Sequence, residues 1–184
     1  MSDLLKPRGD FKTLLTYKKA EIIYDLTFHF AHTHLEKGDR TIDQMIQAAR
    51  SGKQNIAEAS AAAATSAETE IKLTNVAKAS LVELRIDYED FLRTRRLRIW
   101  EKDSTESAYL RDKSRDASLA SEWYVGIAET RPAETVANMC LCLLHQADYL
   151  LQRQLTSLEK SFLANGGFKE RMFTARLDAR QHKK

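Results

Sequence analysis

Glycine and proline are scarce in this chain, six and two among 184 residues. Six of these eight sit where helices should end: Pro7 and Gly9, Gly38, Pro132, Gly166 and Gly167. Helix-permissive residues fill the intervals, so the chain reads as all-α. No glycine-rich loop is present to cradle a phosphate. Cysteine is nearly absent as well. Cys140 and Cys142 lie two apart, which on a helix turns them away from each other and excludes a structural disulfide between them. They read as reduced thiols of a cytoplasmic protein. The N-terminal MSDLLKPRGDFK has no apolar run of signal-peptide length, and no uninterrupted apolar stretch is long enough for a bilayer. The expectation is a cytoplasmic chain with no membrane partner. Its length suits one compact domain better than two.

Charge is unevenly placed. Six of the last seventeen residues are basic (Lys169, Arg171, Arg176, Arg180, Lys183, Lys184) against Glu170 and Asp178. That segment is +4 within a chain of +3, so the preceding 167 residues sum to −1. The expected organisation is a nearly neutral bundle domain over 1–167 and a basic suffix over 168–184, divided at Asn165-Gly166-Gly167. Basic stripes attract phosphates, acidic proteins or anionic surfaces.

Four long helices are predicted. The first runs from about Phe11, with Asp10 as N-cap, to Leu35, and Gly38 ends it. It carries two apolar stripes: Leu15, Ile22, Leu26 and His29, then Tyr17, Tyr24, Phe28, Ala31 and Leu35 at heptad steps. A second stripe calls for the inner core or another subunit, and predicts oligomerisation. The second helix follows Asp39, and its AEASAAAA half should let a neighbour approach closely. Thr65 and Glu68 are spaced as a capping box for the third helix, in which Leu73, Ala77, Ser80, Leu84, Tyr88 and Phe91 recur. Pro132 opens the fourth, with Leu144, Leu151, Leu155, Leu158 and Phe162 as its seam. One short helix is expected between Thr105 and Tyr124, because a structureless loop of that length is unusual. The fold class is an antiparallel up-down-up-down four-helix bundle with a basic C-terminal helical tail.

Catalytic signals are missing. Of His29, His32, His34 and the remote His145, only His29 and His32 share a helix face; His34 is expected to point elsewhere. The paired Glu-x-x-His of di-metal bundles is lacking. These residues read as ordinary histidines, and no metal or cofactor is expected. The two cysteines sit in an apolar run that disfavours a thiolate. Before His145 the nearest Arg is Arg131, outside the four-to-six spacing of HEPN-type ribonucleases. Polar residues close to the seams are more informative: Gln44, Arg50, Ser51, Asn55 and Glu58 on the second helix, Ser80 and Glu83 on the third. Buried polar groups pair or carry a penalty of about 1–3 kcal/mol each, so an interhelical network joining Asn55 or Glu58 to Ser80 or Glu83 is expected.

Those segments carry a resemblance. Gln44, Arg50-Ser51 and Asn55-Ile56-Ala57-Glu58, with Ser80-Leu81-Val82-Glu83-Leu84, resemble the signature of the bacterial four-helix bundle family first associated with intervening sequences in large-subunit ribosomal RNA genes. The usual Gly after the Glu is Ala59 here, and Gly52 follows Ser51 where the family has an apolar residue. The likeness covers about Phe11 to Phe162, and NGGFKERMFTARLDAR resembles a suffix segment of one branch. The resemblance implies a ring-forming oligomer without known catalysis. One relative is an accessory protein to a reverse transcriptase and binds nucleic acid, which implies RNA or DNA, or a nucleic-acid enzyme, as partner.

The basic residues point the same way. On a helical wheel Lys169, Arg176, Arg180 and Lys183 share one side of the tail, Phe168, Met172, Ala175 and Ala179 another, with Phe173 and Leu177 beyond the basic stripe. Arg93, Arg95, Arg96 and Arg98 end the third helix as RTRRLR, where cations also complement the helix dipole. Together with Arg171 these are the candidate binding residues. The leading expectation is a non-enzymatic scaffold contacting phosphate through them. The alternative is a protein adaptor whose tail docks on an acidic partner or a neighbouring subunit.

Overall fold

A computed structural model describes residues 10–116, 118 and 120–181. Pro7, Gly9, Lys183 and Lys184 lie outside them. The described residues are helical, without a strand among them: a 3-10 turn at Phe11–Thr13, then α1 (Leu15–His34), α2 (Thr41–Ala62), α3 (Ala67–Thr94), α4 (Thr105–Lys113), α5 (Ser121–Ala128), α6 (Ala133–Asn165) and α7 (Phe168–Gln181). None of the helices is long and apolar enough to cross a membrane.

The boundaries follow local chemistry. Asp10 caps the 3-10 turn, accepting the Lys12 amide at 3.0 Å, and Leu14 is extended before α1 begins. The start expected at Phe11 therefore divides into two pieces. Gly38 adopts φ 93°, Asp39 accepts the Thr41 amide at 2.8 Å, and α2 follows. At α3 the cap is Ser66, which accepts the Thr69 amide at 3.1 Å. Thr65, the expected cap, instead donates its hydroxyl to the Ala62 carbonyl, one residue too early. Pro132 precedes α6, and Gly166 ends it at φ 65°. The stretch 105–128 holds two short helices in place of the one expected. Ser104 caps α4, and the Ser/Asp-rich link after Lys113 breaks the path where Asp116 accepts from Ser118.

Each long helix packs on two others: α1 on α2 and α6, α3 on α2 and α6. The α2–α3 seam is made of small residues, Ala48, Ala49, Gly52, Ala59 and Ala63 on α2. A Cβ at Gly52 would lie 2.5 Å from Leu81 Cδ2 and 2.7 Å from its Cγ, so only glycine admits this approach. At the centre, Tyr88 of α3 donates to Thr27 of α1 at 3.1 Å and also hydrogen-bonds Cys140 of α6. Phe30 stacks edge-on against Tyr88 and Phe91.

The buried face of α1 differs from both expected stripes. Ala20, Ile23, Leu26, Thr27 and Phe30 form it, joined by Thr16, Lys19 and Ile22, and by Ala31 from the expected aromatic stripe. Leu15 is exposed, and Tyr17, Tyr24 and Leu35 lie half-buried against the intrachain core, leaving Phe28 as the exposed member of the aromatic stripe. Lys53 covers the Tyr24 ring at 4.1 Å. On α6, Leu144, Leu151 and Leu155 are buried, but Leu158 is only partly so and Phe162 is exposed. At 33 residues α6 is about 50 Å long, against about 30 Å for the 20 residues of α1. Its last turns outrun the core and carry α7 outward.

Candidate functional site

α7 starts where Gly166 turns the chain, and the Gly167 amide donates to Glu170 Oε2 at 2.7 Å, placing a carboxylate at the helix N-terminus. Lys169, Met172, Phe173, Arg176, Leu177 and Arg180 line one shallow hollow. Their spacing is i, i+3, i+4, i+7, i+8, i+11, a single helix face. Phe173 and Leu177 lie beside the basic stripe, as the wheel sets them, and alternate with its cations along the helix, so both kinds of residue line one hollow. Phe173 is 65% exposed, and Met172 and Leu177 are also open. Arg171 is partly buried, its Nε enclosed without a partner. No other described helix packs extensively on α7.

The RTRRLR cluster is mostly consumed within the chain. Arg93 pairs with Asp90 at 2.6 Å, the Arg95 guanidinium lies 4.1 Å over the Phe91 ring, and Arg98 pairs with Glu106 at 2.9 Å. Arg96 is exposed with φ 55°. It ends α3 as the left-handed residue of a Schellman turn: Leu97 donates to the Leu92 carbonyl and Arg96 to that of Arg93. Past it, buried Asn138 of α6 ties down the chain, accepting the Trp100 amide at 2.7 Å and donating to the Arg98 carbonyl at 2.8 Å.

The expected polar network is smaller than its candidate list. Ser51 and Ser80 hydroxyls meet at 2.9 Å across α2 and α3, and Asn55 donates to the Ser51 carbonyl and hydroxyl at 2.9 and 3.2 Å. Ser51 is therefore the bridge between Asn55 and Ser80. Gln44, Arg50, Glu58 and Glu83 are exposed and lie outside the network, because each falls on the solvent side of its helix.

A concavity of about 1290 Å³ is lined by none of the candidate binding residues named from the sequence. It lies along α1 and α6 and is walled by α4, α5 and their link. Lys19, Ile22, Ser107 and Tyr124 are its buried lining; Lys12, Lys102 and Arg115 stand exposed around it. Lys19 is 8% exposed, and burial lowers its ammonium pKa to about 8. A lysine is ordinarily a surface residue, which hides it in the sequence. The available signal is its register, between Thr16 and Ile23 on the core face.

Comparison with protein-family models, curated proteins and solved structures returns no match. The chemistry is therefore read from the residues alone. His29 and His34 approach each other, with ring centroids 6.1 Å apart, and burial together with His29 lowers the His34 pKa. His32 instead turns its Nδ1 to the Phe28 carbonyl at 2.8 Å. The expected pairing of His29 with His32 is thus replaced, because α1 ends at His34 and Leu35 is extended. Among the described residues no three His, Cys, Asp or Glu are grouped to hold a metal. Burial pushes the Cys140 thiol up to about 12 and raises that of Cys142, so neither is set up as a thiolate nucleophile.

Proposed function

We propose that this chain is a non-catalytic scaffold, a homo-oligomeric up-down-up-down four-helix bundle that holds nucleic acid, or a nucleic-acid enzyme, against α7. The interleaved face of α7 carries the reading. Lys169, Arg176 and Arg180 offer phosphate contacts while Phe173 and its apolar neighbours offer a surface for bases, the combination that single-strand binders use. Phosphate contact dominates over base reading. Antiparallel packing is supported by pairs at different levels: Lys78 of α3 meets Asp148 and Gln152 of α6, Tyr88 meets Cys140, and Thr16 of α1 bonds Gln154. The likeness to the ribosomal RNA intervening-sequence family favours a ring. The setting is cytoplasmic.

Salt dependence tests this directly. Three neutralised phosphates give a log–log slope of about −2.1 on single strands and about −2.7 on duplex DNA. Charge reversal of Arg176 and Arg180 should flatten it by about one to two units, and truncation after Gly167 should abolish binding. Unchanged affinity after truncation removes α7 from the reading.

One observation favours a second reading, in which α7 docks on a neighbouring subunit. The outer face of α3 exposes Val76 and Ile86 beside Glu83, Asp87 and Asp90. Partial burial and the two neighbouring carboxylates raise the Asp87 pKa, the mark of an acidic cluster without enough cations. Co-purification that survives nuclease treatment, together with oligomer loss on tail truncation, would select it.

A further inference from the structure

The groove between α1, α6 and the α4–α5 segment is a separate feature from the basic helix. Its lining includes the apolar side chains of Ile22, Tyr124 and Trp100, the first two of them buried. Among the described residues Lys19 is the one buried lysine, and its one hydrogen bond there runs 3.4 Å to the Ser114 carbonyl. Four carboxylates share the groove, Glu21, Asp25, Asp116 and Glu122, against six lysines and arginines, and none of them bonds Lys19. Asp25 accepts the Ser121 hydroxyl, and Asp116 accepts both the amide and the hydroxyl of Ser118. A buried ammonium held by one long bond to a carbonyl costs folding free energy, and an unpaired buried cation is normally selected against.

We infer that this groove is a binding site for a small amphipathic anion, whose acid group pairs with Lys19 and whose apolar body lies along Ile22 and Trp100. Charge complementarity fixes the sign of the ligand. The apolar walls fix the rest, since a bare inorganic anion would leave them wet. The volume exceeds the few hundred to about 1,000 Å³ of ordinary small-ligand sites, so one such molecule fills only the part nearest Lys19. Burial already depresses the Lys19 pKa, which fits a cation awaiting its counter-charge.

The probe is 1-anilinonaphthalene-8-sulfonate, followed by its own fluorescence and by energy transfer from the two tryptophans, Trp100 and Trp123, with decanoate, decanol and acetate as competitors. One site is expected, emptied by decanoate but not by decanol or acetate at equal concentration. Lys19→Met should weaken the probe at least tenfold while shifting Tm upward, so that loss of binding is not loss of fold. Lys19→Gln, which keeps a polar end, should also weaken it. Truncation after Gly167 should leave the site intact, which separates this inference from the role of α7. Equal competition by decanol and decanoate would overturn the proposal. So would undiminished affinity in both folded Lys19 variants, or loss of the signal with the tail, which would place the probe on the α7 face.

Discussion

The two sides of the helical body are built on opposite rules. Where α2 meets α3, small residues bring the backbones together, Gly52 accommodates Leu81, and the polar groups present are paired to one another. Where α1 meets α6, the wall is opened by the α4–α5 segment, polar side chains stand at core positions, and a groove of about 1290 Å³ remains. Close packing leaves a seam nothing to bind with. An opening that retains a buried, weakly bonded cation retains the means to bind. Stability and ligand chemistry are thus assigned to different pairs of helices, and each assignment can be broken separately.

The largest effect is expected at the tight seam. Gly52→Val introduces a branched side chain where even a Cβ would overlap the buried Leu81. The gain in helix propensity of valine over glycine, about 0.3–0.5 kcal/mol, is outweighed by overpacking, and a net loss of about 2–3 kcal/mol is expected by chemical denaturation. Combining it with Leu81→Ala should cost less than the sum of the two single changes, since the cavity left by Leu81 receives the valine. Additive losses would mean that the seam does not depend on this approach.

The open side predicts the reverse sign. In the fold the Lys19 pKa lies at about 8, against 10.5 for an ordinary lysine. Between those values the unfolded chain binds a proton that the folded chain has released, so this residue makes stability rise with pH. Below pH 8 both states are charged and the burial penalty is complete. Lys19→Met should therefore stabilise the protein at pH 7, by about 2 kcal/mol once partial solvent screening is allowed for. The advantage over the parent should shrink as pH rises from 8 towards 10.5. Taking the difference between variant and parent removes the titration of the other groups. A pH-independent gap would mean that the ammonium is solvated in the folded state.

The sequence was most legible where one residue type has one backbone role. Gly38 and Gly166 do take positive φ, and Pro132 does stand at the start of α6, so the long helices were placed within a few residues. It was least legible where a residue departs from its usual habit. Thr16, Lys19 and Thr27 occupy core positions on α1 and disguise the apolar seam through Ile23 and Phe30. Arg96 takes the left-handed cap that glycine normally fills, so no glycine marks the end of α3. Within 105–128 the break between α4 and α5 is made by serine and aspartate hydrogen bonds without a glycine or proline, and two helices read as one. The tail's charge was visible at once. The wheel set Phe173 and Leu177 beyond the basic stripe, and what it did not show is that they line one hollow with its cations.

The smallest expected effect lies in the polar contact of the tight seam, and it separates paired from merely adjacent residues. Asn55→Ala removes the amide that binds the Ser51 carbonyl and hydroxyl, but leaves the Ser51–Ser80 contact in place. One neutral hydrogen-bond partner is lost in a partly buried site, so a destabilisation of about 1 kcal/mol is expected. Glu58, one turn further along α2, is exposed with no hydrogen bond to another described residue, and Glu58→Ala should stay within about 0.5 kcal/mol of the parent. Ser51→Ala in the Asn55→Ala background should cost less than Ser51→Ala alone, because the two side chains share a bond. Equal losses for Asn55→Ala and Glu58→Ala by urea titration would mean that the seam is held by helix propensity and backbone packing, with the serine–asparagine contact contributing nothing of its own.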